Sequence, residues 1–233
     1  LHRFGIRIEE REQGYFIPGN QSYRSPGVLQ AEGDWANAAF YLCMGALGDG
    51  ITMTGLDVKD WQGDKAVLDI LREFGAAVST EGDSVTVQPG VLKGIRRDVS
   101  EIPDLVPVLC VVAGFAEGVT CFTHAERLRM KESDRIETTK ALLAPFGISL
   151  TAEEACDGSV TLYIEAKENL SDLEGEILVD GSNDHRIVMS GATIALASGK
   201  RVRISDAQAV NKSYPGFFED YGRLFADADV LIE

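Results

Sequence analysis

Three stretches of this 233-residue chain share one pattern: an aspartate, a long apolar run rich in small residues, a glycine, then alternating residues. They read "GDWANAAFYLCMGALGDGITMTG" from Gly33, "IPDLVPVLCVVAGFAEGVTCFT" from Ile102 and "SNDHRIVMSGATIALASGKRVRIS" from Ser182. A helix that is apolar on every side belongs inside a protein rather than on its surface. The segments after the glycines, such as "GITMTG" and "GVTCFT", alternate as strands do.

A second pattern recurs out of phase with the first. "LREFGAAVSTEG" at Leu71 matches "LAPFGISLTAEE" at Leu143, and "LHRFGIRIEERE" at Leu1 fits the same template. Each reads as a helix end, a glycine near the C-cap, then a strand. Together the patterns give one unit: buried helix, strand, more exposed helix, strand, strand. Copies are expected over about 33–92, 93–165 and 166–233, the last ending as helix then strand in "YPGFFEDYGRLFADADVLIE". The fold class is therefore α/β (α+β), with helices packed inside a shell of sheets. Residues 1–32 hold only a helix end, two strands ("GIRIEE" and "GYFIP") and the polar stretch "GNQSYRSPG". With no initiating Met, the expectation is the C-terminal part of a longer protein.

Charge is unevenly placed. The formal net charge is −15, yet "RLRMKESDR" gathers Arg127, Arg129, Lys131 and Arg135 into nine residues. An acidic chain lacks the broad basic surface that nonspecific nucleic-acid binding needs. No run of about 18 apolar residues marks a membrane helix, and the first residues show no leader pattern. Cys43, Cys110, Cys121 and Cys156 form no C-x-x-C pair, so reduced thiols in a cytoplasmic protein are expected. The three histidines lack ligand spacing for zinc.

The cations sit where local rules disfavour them. Ser133 or Asp134 suits an N-cap, and Asp134 with Glu137 has capping-box spacing. Lys131 then precedes the helix and Arg135 lies in its first turn, against the helix dipole. Arg186 starts the third buried helix, and Lys212 precedes another helix with Pro215 near its first turn. Four cations at helix starts point to a bound anion, because arginine grips carboxylate and phosphate with paired hydrogen bonds. A solvated patch neutralised by Glu126, Glu132 and Asp134 is the alternative. Asp104 shares its slot with Asp34 and Asp184 before a buried helix, and Asp34 reads as a cap. Pro107 leaves Asp104 at the helix mouth. Asp104 and Glu132 are the candidate proton-transfer pair.

With "QSYRSPG", "EGD", "IPD", "RLRMKESDR", "NDHR" and "NKSYP" in order along nearly the whole chain, the sequence resembles the 5-enolpyruvylshikimate-3-phosphate (EPSP) synthase family. The resemblance implies two domains, each of three βαβαββ units around an interdomain cleft. It implies transfer of the enolpyruvyl group of phosphoenolpyruvate to the 5-hydroxyl of shikimate 3-phosphate, with release of phosphate and no metal or organic cofactor. It further implies that Asp104 is the base at that hydroxyl and that Lys131 contacts shikimate 3-phosphate beside it. Glu132 would protonate the methylene carbon. Arg135, Arg186 and Lys212 would hold phosphoenolpyruvate, with His185 and Asp184 orienting Arg186. Arg127 stands where some relatives carry Asn. Residues 1–32 would be the tail of an N-terminal domain and its crossover, and 33–233 the C-terminal domain. The missing N-terminal domain is then a partner, and this chain is inactive alone. Two alternatives stand beside this reading: the sister transferase that acts on UDP-N-acetylglucosamine, and a non-catalytic anion-binding domain.

Overall fold

The computed structural model describes residues 1–166 and 175–225. They form two compact units, Leu1–Glu32 and Gly33–Glu233. The first unit holds one antiparallel hairpin, β1 (Glu9–Arg11) and β2 (Gly14–Phe16), in which Glu9 faces Phe16. The first strand starts later than "GIRIEE" implies. The backbone N–H of Arg7 donates to Gln21 Oε1 (2.7 Å), and Gln21 Nε2 donates to the Arg7 carbonyl (3.1 Å). A side chain thus takes the groups that a ladder would otherwise pair.

The second unit begins with α1 (Trp35–Leu47), β3 (Ile51–Thr54), α2 (Val67–Phe74), β4 (Ala77–Glu81) and β5 (Ser84–Gln88). Next come β6 (Arg96–Asp98), α3 (Val106–Ala113), β7 (Val119–Thr123), α4 (Arg135–Leu143), β8 (Ser149–Glu154) and β9 (Val160–Glu165). The described part closes with β10 (Ile177–Val179), α5 (His185–Ser198), β11 (Val202–Ile204) and α6 (Phe217–Leu224). One sheet has the order β3-β5-β4, a second β6-β7-β9-β8, and β10 pairs with β11. Within these sheets β6 runs parallel to β7 and β10 parallel to β11, while the other pairs are antiparallel. The strand expected after α6 lies outside the described residues.

The three apolar runs are α1, α3 and α5, and they pack on one another. Every residue of α3 is buried, as are all of α1 but Leu47. Each fully buried Leu, Ile, Val, Phe or Met contributes roughly 1.5–3 kcal/mol before ordering costs. The small residues let neighbours come close. A Cβ on Gly45, inside α1, would lie 2.5 Å from Ile51 Cγ2 of β3. The recurring Phe-Gly pairs mark chain reversals: Gly5, Gly75 and Gly147 all take the left-handed conformation (φ 75°, 113° and 71°). In this way α2, and the 3-10 turn Ala144–Phe146 after α4, are ended just before β4 and β8.

The class read from the sequence matches in its coarse form: a mixed α/β protein with buried helices and sheets. Two short strands, β6 and β10, carried no signal of their own. They lead the chain towards Asp104 and Asp184 respectively.

Candidate functional site

The site grows from the starts of α3, α4 and α5. At α4 the N-cap is Asp134, whose side chain accepts from the N–H groups of Ile136 (3.1 Å) and Glu137 (3.4 Å). Ser133 is thereby spared from capping, and its hydroxyl donates to Asp184 Oδ2 (2.9 Å). At α5 the N-cap is Asp184, which accepts from the Arg186 N–H (2.9 Å). At α3 the pattern breaks. The cap position is Leu105, Pro107 lies in the first turn, and no side chain caps the helix. Asp104 therefore does not serve as a cap.

Its carboxylate turns to cations instead. Asp104 Oδ1 meets Arg135 Nη1 at 2.6 Å and Lys131 Nζ at 3.0 Å. Burial alone would raise this carboxyl. The hydrogen bond from Lys131 and the charges of Arg186, Arg135 and Lys131 outweigh it and hold Asp104 below the ordinary carboxylate range. The carboxyl of Asp184 is governed the same way: burial opposes, and the Arg135 fork and the Ser133 hydroxyl win. Arg135, only 2% exposed, donates Nε to Asp184 Oδ2 (2.8 Å) and Nη2 to Asp184 Oδ1 (3.1 Å). One guanidinium therefore ties the starts of α3 and α5 together through Asp104 and Asp184.

Glu132 sits at the other side of the cluster. His185 Nδ1 lies 3.1 Å from Glu132 Oε1, and Lys212 Nζ lies 3.4 Å from Glu132 Oε2. Burial and the nearby charge of Arg186 push the His185 imidazole down, against Glu132 and Asp184, so it favours the neutral form. Lys212 also donates to the Asn183 carbonyl. Arg186 is buried. Its Nη1 donates to the Ala36 carbonyl (3.0 Å) at the start of α1, and its Nε has no hydrogen-bond partner among the described residues. Burial destabilises its charge, with Asp104 opposing and Arg135 adding to the effect. A buried guanidinium with a donor unspent is a place where an anion would be stabilised.

The structure thus brings Asp104, Lys131, Glu132, Arg135 and Lys212 into one contact network. Arg186 joins it through its charge and its neighbours. One detail differs from expectation. Asp184 and His185 do not orient the Arg186 guanidinium; they hold Arg135 and Glu132 instead. As expected, Lys212 lies ahead of α6, at the end of the 3-10 turn Ala207–Lys212, and Pro215 stands near the first turn, just before the Gly216 cap. Lys131 likewise follows a 3-10 turn, Glu126–Met130. Arg127 donates to the Ser100 carbonyl (2.8 Å). Ligand atoms of Glu132, Asp184 and His185 lie within 4.8 Å of one another. The two carboxylates already face Lys212 and Arg135, which repel a metal cation.

The family model for EPSP synthase (3-phosphoshikimate 1-carboxyvinyltransferase) matches residues 1–221. The chain belongs to the EPSP synthase family. A relative in Clostridium acetobutylicum named 3-phosphoshikimate 1-carboxyvinyltransferase is 40% identical over 97% of this chain and 50% of its own length. One of the same name in Clostridium kluyveri is 37% identical over 98% of this chain and 52% of its own. This chain spans about half the length of the curated relatives it matches. Among solved structures, EPSP synthase from Acinetobacter baumannii aligns with TM-score 0.74 at 24% identity, over 96% of this chain and 52% of that one. The enolpyruvyl transferase NikO from Streptomyces tendae aligns with TM-score 0.69 at 19% identity, over 98% and 51%. These two likenesses speak for the fold, that of enolpyruvyl transferases. No helix among the described residues is long and apolar enough to cross a membrane.

Two residues around this site were not legible in the sequence. Ser133 read as a possible cap and serves Asp184 instead. Asp64, in a short 3-10 turn, interacts electrostatically with Asp104, Arg186, Asp34 and Lys131. Its "QGDKA" context has the look of an ordinary helix start, and only the fold brings it to these partners.

Proposed function

We propose that this chain supplies one wall of an EPSP synthase active site. The opposite wall would come from an N-terminal domain of the same protein. In this reading the second unit is built of three βαβαββ repeats, whose buried helices α1, α3 and α5 start at the site. The whole protein transfers the enolpyruvyl group of phosphoenolpyruvate to the 5-hydroxyl of shikimate 3-phosphate.

The observation that carries this is the Arg186 guanidinium, buried with Nε unpaired beside an Asp104 carboxylate held ionised by Lys131 and Arg135. An ionised carboxylate among cations is suited to take a proton from a hydroxyl, and the cations are suited to hold a polyanionic substrate. The hydroxyl oxygen then bonds to C2 of phosphoenolpyruvate while its proton passes to Asp104. Glu132 gives a proton to the methylene carbon, which becomes a methyl group. His185 Nδ1, 3.1 Å from Glu132 Oε1, is within reach to orient that carboxyl. Glu132, now ionised, takes a methyl proton back as phosphate leaves with the proton held by Asp104, which restores the double bond and both carboxyl groups. Arg135, Arg186 and Lys212 hold the phosphoenolpyruvate anion, and Lys131 stands by the shikimate hydroxyl.

Mixing this chain with the N-terminal half of its own full-length protein tests the reading. Phosphate release from the two substrates is expected only from the mixture. In full-length enzyme, Asp104→Asn and Glu132→Gln should each lower kcat about 10²- to 10⁴-fold. Unchanged turnover in both variants would favour a non-catalytic anion-binding role. Calorimetric titration with a UDP-amino sugar beside shikimate 3-phosphate decides the acceptor.

A further inference from the structure

Asp64 has no part in the chemistry above. It lies in the 3-10 turn Gly63–Ala66, which packs against α1. Gln62 fastens that turn to the start of α1: its amide donates to the Gly33 carbonyl (2.8 Å) and accepts from the Trp35 N–H (3.1 Å). On its other flank the turn approaches the loop before Asp104. A Cβ on Gly63 would meet the Glu101 carbonyl oxygen at 3.6 Å. Arg186 reaches this place from α5, bonded to the Ala36 carbonyl. The turn that carries Asp64 therefore lies against the beginning of α1, where Arg186 also bonds, and beside the loop that leads to α3.

The charges that act on Asp64 are Asp104, Arg186, Asp34 and Lys131. Its neighbour Lys65 is committed elsewhere, donating to the carbonyls of Val58 (2.8 Å) and Asp60 (2.6 Å). Burial and repulsion from Asp104 raise the Asp64 carboxyl, Arg186 lowers it, Asp34 raises it and Lys131 lowers it; the balance lies above the ordinary range.

We infer that Asp64 is a positioning residue that takes up a proton when an anion binds at Arg186, so that the site's anion affinity is tied to pH. This rests on the reading of Arg186 as an anion-holding group. The physical step is simple. Arg186 favours the ionised Asp64 carboxylate. An anion on Arg186 cancels that attraction and adds repulsion, so the proton affinity of Asp64 rises. Coupling of this kind is reciprocal: a proton on Asp64 tightens the anion. Affinity is then highest below the Asp64 pKa of the free site. It declines as pH rises through that value to the higher one of the bound site, and is level beyond.

Sulfate is the probe, because it stays a dianion across the whole range. In this chain, carbon-13 NMR follows the Asp64 carboxyl in wild type and in Arg186→Gln, with and without sulfate. Arg186→Gln should raise the Asp64 midpoint, and saturating sulfate should raise it in wild type. Asp64→Asn should bind sulfate about three- to fivefold more tightly above the wild-type midpoint, and its affinity should show no step as pH crosses that midpoint. Sulfate binding at Arg186 with the Asp64 midpoint unmoved would overturn the inference and leave the anion site standing. Absence of any sulfate binding at Arg186 would overturn both, and the Arg186→Gln titration would still show whether the two charges are coupled.

Discussion

The starts of α1 and α5 use the same device with different results. At α1, Asp34 accepts from the Asn37 N–H (3.0 Å) through one oxygen and from the Asn37 side-chain amide (2.7 Å) through the other. Both partners lie three residues away. At α5, Asp184 caps the Arg186 N–H, but its remaining capacity goes to Arg135 and Ser133, some fifty residues earlier in the chain. The first aspartate fixes a helix end. The second does so and also carries the charge of an almost fully buried arginine. A helix cap thus becomes part of a site when its second oxygen is recruited from afar.

The comparison breaks most readily at Asp184. Asp184→Ala should destabilise the chain by about 3–5 kcal/mol in urea unfolding, because it leaves Arg135 buried without its fork. A loss near 1 kcal/mol would mean that Asp184 is only a cap. Asp184→Asn keeps the cap and removes the charge, at an expected cost of about 2 kcal/mol. It also weakens the pH dependence. Asp184 and Asp104 have folded-state pKa values below their unfolded ones. Their stabilisation is present above the ordinary carboxylate range and is lost as pH falls through the lower folded values. Acid unfolding of Asp184→Asn should therefore be shallower there than that of wild type. Asp34→Ala should cost about 1 kcal/mol, the value of a cap alone. Smallest is Lys212→Met, expected within about 0.5 kcal/mol of wild type in the same assay, since that side chain is 40% exposed. Its effect should appear in sulfate affinity instead.

Much of the core was readable because burial writes itself into composition. α1, α3 and α5 appear as unbroken apolar runs, and the Phe-Gly pairs mark where helices turn back. The strands β6 and β10 were not readable: three residues each, they exist only through pairing with β7 and β11. Within the site, the unusual placement of Lys131, Arg135, Arg186 and Lys212 was legible as a conflict with the helix dipole. Their partners were not. The Arg135–Asp184 fork spans 49 residues of sequence, and no local signal says whether an aspartate will look inward to its own helix or outward to another. Asp64 was hidden for the same reason.

The close approach of Gly45 to Ile51 has a bearing on how such a protein changes over time. An added atom at position 45 would meet Ile51 Cγ2 at 2.5 Å and the Ile51 backbone N at 3.0 Å. Ile51→Val would not relieve Gly45→Ala, because valine keeps Cγ2 and no side-chain change moves the backbone nitrogen. Position 45 should therefore stay glycine among descendants while other sites in α1 drift.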